Sequence, residues 1–321
     1  MSSATSVRIA DPGTTAMRRA TLGFLGMMSL CGTSASRAAD LDYGVLRGPD
    51  YDEVPVAASV IDWSGVYVGG HGGYTSAAMG FRNVFQPIVA SALRNTYVEG
   101  ELNASTLLAV HAQRVGGPTF GGYIGYNMQF DDIVLGIEAD YTHAALLGSS
   151  MDNIGRYKST TDGYLSTVNL TGISSTKIED YGTVRGRAGY AFGNVLPFVT
   201  AGVAIGRARI TDTVAIQNFA YDQTTYKANL TATTPAFVGS YGYTFFNQTK
   251  PTPPASVPAP ATVYGTAKTK VVGGGTLGAG IEYAITPSIL LRAEYQYVLF
   301  SDFDGHKINL NTVRGGAAVK F

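Results

Sequence analysis

Past residue 62, apolar residues recur at every second position, which is the period of a β-strand. The segment Ile133 to Tyr141, IVLGIEADY, places Ile, Leu, Ala and Tyr on one face and Val, Gly, Glu and Asp on the other. The same alternation recurs at residues 120–130, 183–192, 277–283, 289–297 and 313–321, and less regularly at 63–74 and 196–208. These segments predict eight strands of about 9 to 11 residues, the length that crosses a bilayer at a tilt.

The connections between the predicted strands alternate in length. Residues 131–132, 193–194 and 286–288 form short links, whereas the other connections span 75–118, 145–180, 209–270 and 301–308. Short and long connections therefore lie at opposite ends of the strands, which is typical of an outer-membrane barrel with short periplasmic turns and long extracellular loops. The third long connection contains PTPPASVPAP at 251–260, which predicts extended or disordered chain because proline donates no backbone hydrogen bond.

The alternation alone leaves open which face points outward. A soluble lipocalin-like barrel would place its apolar side chains inside, whereas a membrane barrel places them against lipid. Long loops at one end only, aromatic residues at the strand ends and a chain that ends on Phe321 favour the membrane barrel. The aromatic residues are Tyr74, Tyr141 and Tyr297 toward the loops, and Tyr126, Phe130, Tyr190, Phe192, Tyr283 and Phe321 toward the turns. The sequence therefore predicts an all-β fold, an eight-stranded antiparallel up-and-down transmembrane β-barrel whose strands close into a ring.

The polar face of the strands then points into the barrel, with Leu135, Ile281 and Val319 facing lipid. The inward charges are Glu138, Asp140, Arg185, Arg187, Glu282, Arg292, Glu294, Arg314 and Lys320. Because eight strands leave an interior just wide enough for side chains, we expect these charges to pair and fill the barrel instead of lining an open channel. A structural ion network explains every member of the set, so no catalytic role is assigned to it.

The N-terminal segment has the order of a secretory signal. Arginines at 18 and 19 precede an apolar stretch at 20–30 and a small-residue cleavage site at 36–38. Residues 1–16 are polar, so we expect Met17 to be the true start. Cys31 follows Leu30, whereas a lipid-modified cysteine needs a small residue before it. The sequence therefore does not predict a lipoprotein. We predict a signal peptide at 1–38, a periplasmic linker at 39–62 and the barrel at 63–321.

Composition excludes several other classes of protein. The 23 Lys and Arg residues equal the 23 Asp and Glu residues, so net charge gives no attraction to nucleic acid. Charged residues make up only 14% of the chain, against about 25% in soluble domains. The sequence has no run of 18 or more apolar residues, which a membrane-spanning helix would need. The single cysteine lies in the predicted signal peptide, so the mature chain would have no thiol for disulfides, metal sites or a nucleophile.

Five strings in the strands resemble the RopB-type, porin-like outer-membrane β-barrel proteins of alphaproteobacteria. They are WSGVYVGGHGGY (63–74), GTVRGRAGYA (182–191), LPFVTAGVAIG (196–206), TLGAGIEYAITPSILLRAEYQYVLF (276–300) and VRGGAAVKF (313–321). The resemblance implies a surface-exposed protein in the outer membrane of a Gram-negative bacterium, embedded among outer-membrane lipids and lipopolysaccharide. It also implies insertion by the outer-membrane assembly machinery, with Phe321 as the terminal aromatic signal. Oligomeric state stays open, and some relatives are linked to haemin binding.

Three short motifs match catalytic or binding patterns only superficially. GxGxxG at 273–278 is followed by strand alternation, where a dinucleotide site needs a helix. SxxK at 174–177 lies in a predicted loop with no companion motif. DxDG at 302–305 lacks the downstream glutamate of a calcium loop and indicates a plain turn. We therefore expect no catalytic, cofactor-binding or metal-binding residues.

The four histidines have no metal-ligand spacing on one strand and no evident nucleophile partner. His71 falls on the inward row, His143 near a strand top, and His111 and His306 in predicted outer loops. The favoured function is a structural outer-membrane surface protein that supports the envelope and displays variable loops. Two alternatives stay open: a loop-mediated receptor for haemin or another ligand, with His111 or His306 as a ligand to iron, and a narrow diffusion porin.

Overall fold

The computed structural model describes residues 61–321, so the predicted signal peptide and the linker up to residue 60 lie outside the described residues. In chain order the elements are β1 Gly65–Phe81, α1 Gln86–Ala92, α2 Tyr97–Leu102, β2 Gln113–Phe130, β3 Ile133–Ser159, β4 Tyr164–Tyr190, β5 Val195–Asp222, α3 Gln223–Asn229, β6 Ser240–Tyr241, β7 Tyr243–Phe245, β8 Val257–Pro258, β9 Thr262–Thr286, β10 Ile289–Phe300 and β11 His306–Lys320. Within residues 61–321, no helix has the length and apolar character needed to cross a membrane.

Eight of these strands form a closed antiparallel ring. Each long strand pairs with its neighbour along the chain, and β5 pairs with β9 across the segment that holds the short strands β6 to β8. The first and last strands close the ring, with pairs running from Tyr67–Lys320 to Phe81–His306. Closure satisfies the backbone groups of both edge strands, as hydrocarbon requires. The predicted eight-stranded antiparallel barrel is confirmed.

The apolar face of the strands points outward. Leu135, Ile281 and Val319 are 43%, 54% and 47% exposed, whereas Arg185 and Glu294 are 1% and 3% exposed. The predicted orientation is therefore confirmed. The described residues do not have the inverted arrangement of a soluble lipocalin-like barrel. Aromatic side chains of the turn end are also outward and exposed, namely Tyr126, Phe130, Tyr190, Phe192, Tyr283 and Phe321.

Four strands are much longer than the sequence predicts. β3, β4, β5 and β9 have 27, 27, 28 and 25 residues, which at about 3.3 Å per residue far exceeds a bilayer core of about 30 Å. Their extracellular parts, 144–159, 164–178, 208–222 and 262–272, form one sheet that we call the extracellular wall. The predicted loop 145–180 is therefore wrong: it is a β-hairpin that turns at 160–163. The other three long connections shorten to 82–112, 223–261 and 301–305.

The alternation of apolar and polar residues does not predict the extracellular wall, because the inward positions of the wall do not keep one polarity. Ser174 and Thr176 are buried alongside Val168 and Leu170 on the same strand, β4. Small hydroxyl side chains and aliphatic ones therefore share one face, and the apolar period of two disappears from the sequence. Serine, threonine and glycine then look like loop residues although their backbones are fully paired.

A charge placed on the outward face should disfavour insertion. Ile281→Arg is expected to destabilise the inserted barrel by about 2–4 kcal/mol, because a midplane arginine must leave water for hydrocarbon. The measurement is the heat-modifiable gel mobility of the refolded protein, followed by urea titration in lipid vesicles. Thr231→Arg, in an exposed loop, is the matched control and should behave as wild type. Normal insertion of both Ile281→Arg and Leu135→Arg would contradict the assignment of faces.

Candidate functional site: the barrel interior and its extracellular end

The middle of the barrel interior holds alternating arginines and carboxylates. Three oppositely charged pairs come from directly opposed positions on adjacent strands: Glu138–Arg185, Glu282–Arg292 and Glu294–Arg314. Strand register alone therefore brings together the two members of each pair. Their side chains are at most 2% exposed, so the charges lie in a medium where an unpaired ion is very costly.

Other contacts cross the lumen between strands that are not neighbours. Arg185 of β4, which binds Glu138 of the adjacent strand through one terminal nitrogen, binds Glu294 of β10 through the other. Arg187 Nη2 of β4 lies 2.7 Å from Glu282 Oε2 of β9. These contacts join β4 to β9 and β10, the two strands that follow its neighbour β5 around the ring, and they help to fill the lumen.

Arg292 and Arg314 complete the set. Arg292 lies 2.8 Å through Nε from Glu282 Oε1 and 2.6 Å through Nη1 from Glu138 Oε2, and its guanidinium lies 4.1 Å from the Tyr123 ring centroid. Arg314 Nη2 donates to Glu294 Oε2 at 3.0 Å, and its Nη1 binds Asp140. Together, four arginines meet four carboxylates, and the formal charges balance.

Lys320 lies on the predicted inward row, but it does not join this set of charges. It is half-buried at the turn end of β11, and its ammonium donates to the backbone carbonyl of Asp62. The alternation placed it on the inward row correctly, but that row leaves the barrel lumen at the last residue of the strand. The five-to-four charge count of the sequence becomes four to four.

Two inward glycines make room for two tyrosines of the interior. A Cβ on Gly125 would lie 2.2 Å from Tyr67 Oη, and one on Gly69 would lie 2.5 Å from Tyr123 Cζ. Tyr67 Oη in turn donates to Glu138 Oε2 at 2.8 Å. Glycine at these two positions therefore relieves crowding inside the barrel.

Apolar side chains fill the interior on both sides of the charged layer. At the turn end, Trp63, Leu196 and Leu290 are at most 1% exposed and form one cluster. At the extracellular end a larger cluster combines inward residues of the wall with Phe85 and Val89 of the β1–β2 connection. The alternation predicts an interior that is polar throughout, so this second apolar layer is not predicted from the sequence.

His306 is buried, so its predicted place in an outer loop is wrong. The last connection ends at residue 305, and His306 opens β11 with a fully covered ring. Its Nδ1 lies 2.7 Å from Thr176 Oγ1, and its Nε2 lies 3.2 Å from Asp212 Oδ2. Ser174 donates to Asp212 Oδ1 at 2.6 Å. With both ring nitrogens engaged, His306 cannot ligate an external haem iron.

The Thr176, His306 and Asp212 side chains have the order of a nucleophile, base and orienting carboxylate. Thr176 is 1% exposed and lies against the interior cluster. A substrate has no access to its hydroxyl in this arrangement. The three side chains instead join β4, β5 and β11 by hydrogen bonds, which is a structural role.

The remaining sequence candidates are dispersed. His71 is buried 3.7 Å from Asp140, His111 is exposed, and His143 Nδ1 lies 2.7 Å from Asp180. Among the described residues, no group of three or more His, Cys, Asp or Glu could hold a metal ion.

The three short motifs lie on strands and in a turn. Residues 273–278 belong to β9, and residues 174–177 to β4. At 302–305 the chain turns, with Gly305 at φ +82°. Lys270, 2.7 Å from Asp304, donates to that carboxylate and holds its pKa below its usual value. The predicted plain turn at this position is confirmed.

Comparison with known proteins gives matches over most of the chain. The model of the outer membrane protein beta-barrel domain family matches residues 54–321. The 31 kDa outer-membrane immunogenic protein of Brucella melitensis biotype 1 is 28% identical over 280 residues, which cover 83% of this chain and 88% of that protein. The 22 kDa outer membrane protein of Rhizobium leguminosarum bv. viciae is 26% identical over 305 residues, 92% of this chain and 95% of that protein. The crystal structure of the outer membrane protein OprG from Pseudomonas aeruginosa covers 80% of this chain and 96% of that chain at 11% identity, with a TM-score of 0.34.

Proposed function

The chain belongs to the outer membrane protein β-barrel domain family, and on that basis we propose that it is a structural protein of the bacterial surface. It lies in the outer membrane of a Gram-negative bacterium, as its relatives do. Its proposed role is to support the envelope and to display the extracellular wall and loops. Insertion through Phe321 by the outer-membrane assembly machinery belongs to the same proposal.

The observation that carries this proposal is the filled interior. Four arginines and four carboxylates occupy the middle of the barrel, and apolar clusters lie on both sides of them. A diffusion porin needs a hydrated path, whereas these charges contact one another across the lumen. The arrangement supports a structural barrel over a porin or an enzyme.

Surface display is supported by the exposed outer face of the wall. Met151 and Tyr157, both on β3 beyond the bilayer, are 64% and 76% exposed. One relative is named an outer-membrane immunogenic protein, which is consistent with antibodies reaching such a surface.

Labelling of single cysteines on intact cells tests the display. Tyr157→Cys, near the tip of the β3–β4 hairpin, is expected to react with a membrane-impermeant maleimide on whole cells. Asn194→Cys, in the short turn at the opposite end, should react only after lysis. Labelling of Asn194→Cys alone on intact cells would reverse the proposed orientation, and labelling of neither variant in the folded protein would remove surface display.

Planar-bilayer recording and envelope assays test the structural role. The wild-type protein is expected to give no stable conductance steps, because its lumen is occupied. A strain without the protein should become more sensitive to detergent, and the cloned wild-type chain should restore resistance. Regular conductance steps would favour the porin, and unchanged detergent sensitivity would argue against envelope support.

A receptor is the second candidate function, favoured by an open cavity of about 420 Å³ at the extracellular end. Its lining includes Arg82, Asp212, Lys268 and Asp304, a mixed-charge surface that suits a small polar ligand better than haemin. Of the two histidines proposed for haemin, only His111 remains accessible. Haemin titration should therefore leave the Soret band unshifted, and a shift that is lost in His111→Ala would support the haemin receptor.

A further inference from the structure

The outward face of the barrel changes from apolar to charged where the membrane-facing band ends. Along β5, Val203 and Ile205 are exposed at 58% and 60%, and the next two outward positions are Arg207 and Arg209. Lys177 of β4 lies directly opposite Arg209 in the sheet. Three cations thus follow directly after the outward apolar band, on the side of the long loops.

A β-bulge adds two carboxylates to the same face. The register of β4 shifts between Ile178 and Asp180, and both Ile178 and Tyr181 are buried. Two successive residues, Glu179 and Asp180, consequently point outward together, which is what a bulge makes possible. We call Lys177, Glu179, Asp180, Arg207 and Arg209 the rim cluster.

The two carboxylates position the three cations but do not neutralise all of them. Arg207 Nη2 lies 3.0 Å from Asp180 Oδ2, and Lys177 Nζ lies 3.2 Å from Glu179 Oε1. Arg209 approaches Glu179 only to 4.0 Å. The side chains of both arginines stay more than half exposed, at 56% and 58%. Three cations and two carboxylates leave one net positive charge and several free guanidinium N–H donors.

Apolar furrows lie on the membrane side of the rim cluster. An open cleft of about 350 Å³ is lined by Asp180 and Arg207 at its charged end and by Tyr141, Ile205 and Val271 at its apolar end. Two further furrows, of about 280 and 540 Å³, continue down the outward face of β5 and β9 and share Ala201 and Leu277. Gly273 and Gly275, the outward glycines of β9, add no side chain to this surface, and no atom lies within 4 Å of where their Cβ would be. The surface is therefore open at these two positions.

We propose that the rim cluster and these furrows bind a phosphorylated lipid of the outer leaflet. The inference rests on the proposed function, because it requires the chain to lie in the outer membrane with its long loops outside. Arg207, Arg209 and Lys177 donate to the phosphate, a geometry that the planar fork of arginine suits. An acyl chain of the same lipid lies along the furrows of β5 and β9. The protein thereby holds an outer-leaflet lipid, which would contribute to envelope support.

Lipid titration of the folded full chain in phosphatidylcholine nanodiscs tests the proposal. The probe is bisphosphorylated lipid A, and native mass spectrometry counts the lipids that stay bound. The variant Arg207→Gln/Arg209→Gln is expected to bind lipid A at least about tenfold more weakly, since two charge-assisted contacts are lost. The control Lys268→Gln/Lys270→Gln removes two cations from the neighbouring strand β9 whose partner is Asp304, and it should bind within about twofold of wild type.

Three arms separate the sources of binding. Dephosphorylated lipid A should bind as weakly as the arginine variant, and inorganic phosphate should not displace lipid A from wild type. Ala201→Phe, which fills the furrow from the lipid side, should also weaken binding while leaving the charges intact. Equal binding of both lipids, displacement by inorganic phosphate, or wild-type affinity in the arginine variant would each overturn the proposal.

The heat-modifiable gel mobility of each sample distinguishes failure of the proposed lipid site from failure of the proposed function. Wild type that inserts normally but shows no preference for phosphorylated lipid overturns only the lipid site. Wild type that fails to form a heat-modifiable barrel in lipid counts against the proposed function itself. If the arginine variant does not fold, Ala201→Phe and the dephosphorylated lipid still decide the question.

Discussion

Arg185→Ala is expected to lower the free energy of unfolding by about 3–5 kcal/mol, because it leaves buried carboxylates without their partner. Arg185 binds Glu138 on the adjacent strand and Glu294 across the lumen, and its side chain is fully covered. Glu138 and Glu294 are also fully covered, so bulk solvent does not reach them to replace the lost donors. The loss should appear in urea unfolding of the barrel in lipid vesicles, followed by fluorescence of Trp63, the only tryptophan in the chain.

Two comparisons identify the cause of this effect. Lys320→Ala removes a cation whose hydrogen bond, among residues 61–321, goes to a backbone carbonyl at the turn end, so it should change the unfolding free energy by less than about 0.5 kcal/mol. Arg185→Met/Glu138→Gln, which removes one charge of each sign and keeps side-chain volume, should recover part of the loss. An Arg185→Ala barrel as stable as wild type would show that the interior charges do not depend on one another.

The sequence predicts the orientation of the strands because one physical rule decides it. Hydrocarbon accepts Leu135 and Ile281 and rejects Glu138 and Arg185, so the period of two sorts inward from outward residues without knowledge of the partners. The inward positions of these residues, and the ring of eight strands, follow from the alternation and from the unequal connections.

The pairing inside the barrel could not be predicted in the same way. Glu294 contacts Arg185 although β10 and β4 are separated by two strands, and this meeting depends on the stagger of the ring. Stagger is a property of all eight strands together, and one sequence contains no local signal for it. The rim cluster cannot be predicted from the sequence for the same reason, because it needs a register shift that places Glu179 and Asp180 on one face.

The extracellular wall and the apolar cluster on its inward face could not be predicted for a different reason. The side chains of the β1–β2 connection supply part of the core that covers the inward face of β4 and β5, so those strands need no polar interior and no lipid outside. Their residues satisfy neither of the two patterns that identify membrane strands. His306 was misplaced by the same error, because its strand begins where we expected a loop.

The β1–β2 connection is held to the wall at three points. Glu101 Oε1 accepts from the backbone nitrogen of Thr161 at 2.9 Å, and its other oxygen lies 3.2 Å from Lys158 Nζ. Asp152 Oδ2 accepts from the backbone nitrogen of Ala109 at 2.7 Å. The third point is Phe85, which is 2% exposed within the interior cluster. The two polar contacts are exposed and contribute little, so the apolar contact should dominate.

Phe85→Ala is accordingly expected to cost about 3–5 kcal/mol at the extracellular end, through lost burial and the cavity that remains. The Phe85 ring lies so close to β4 that a Cβ on Gly172 would be 2.5 Å from its Cε2; alanine leaves that space empty. Because the charged layer below is untouched, the loss should be local. Limited proteolysis should cut residues 82–112 much faster in the variant, while the lower barrel keeps its gel mobility. Phe237→Ala, at a site 79% exposed, is the matched control and should be cut like wild type. If Phe85→Ala resists protease as wild type does, the β1–β2 connection is held by its polar contacts, and the apolar layer does not anchor it.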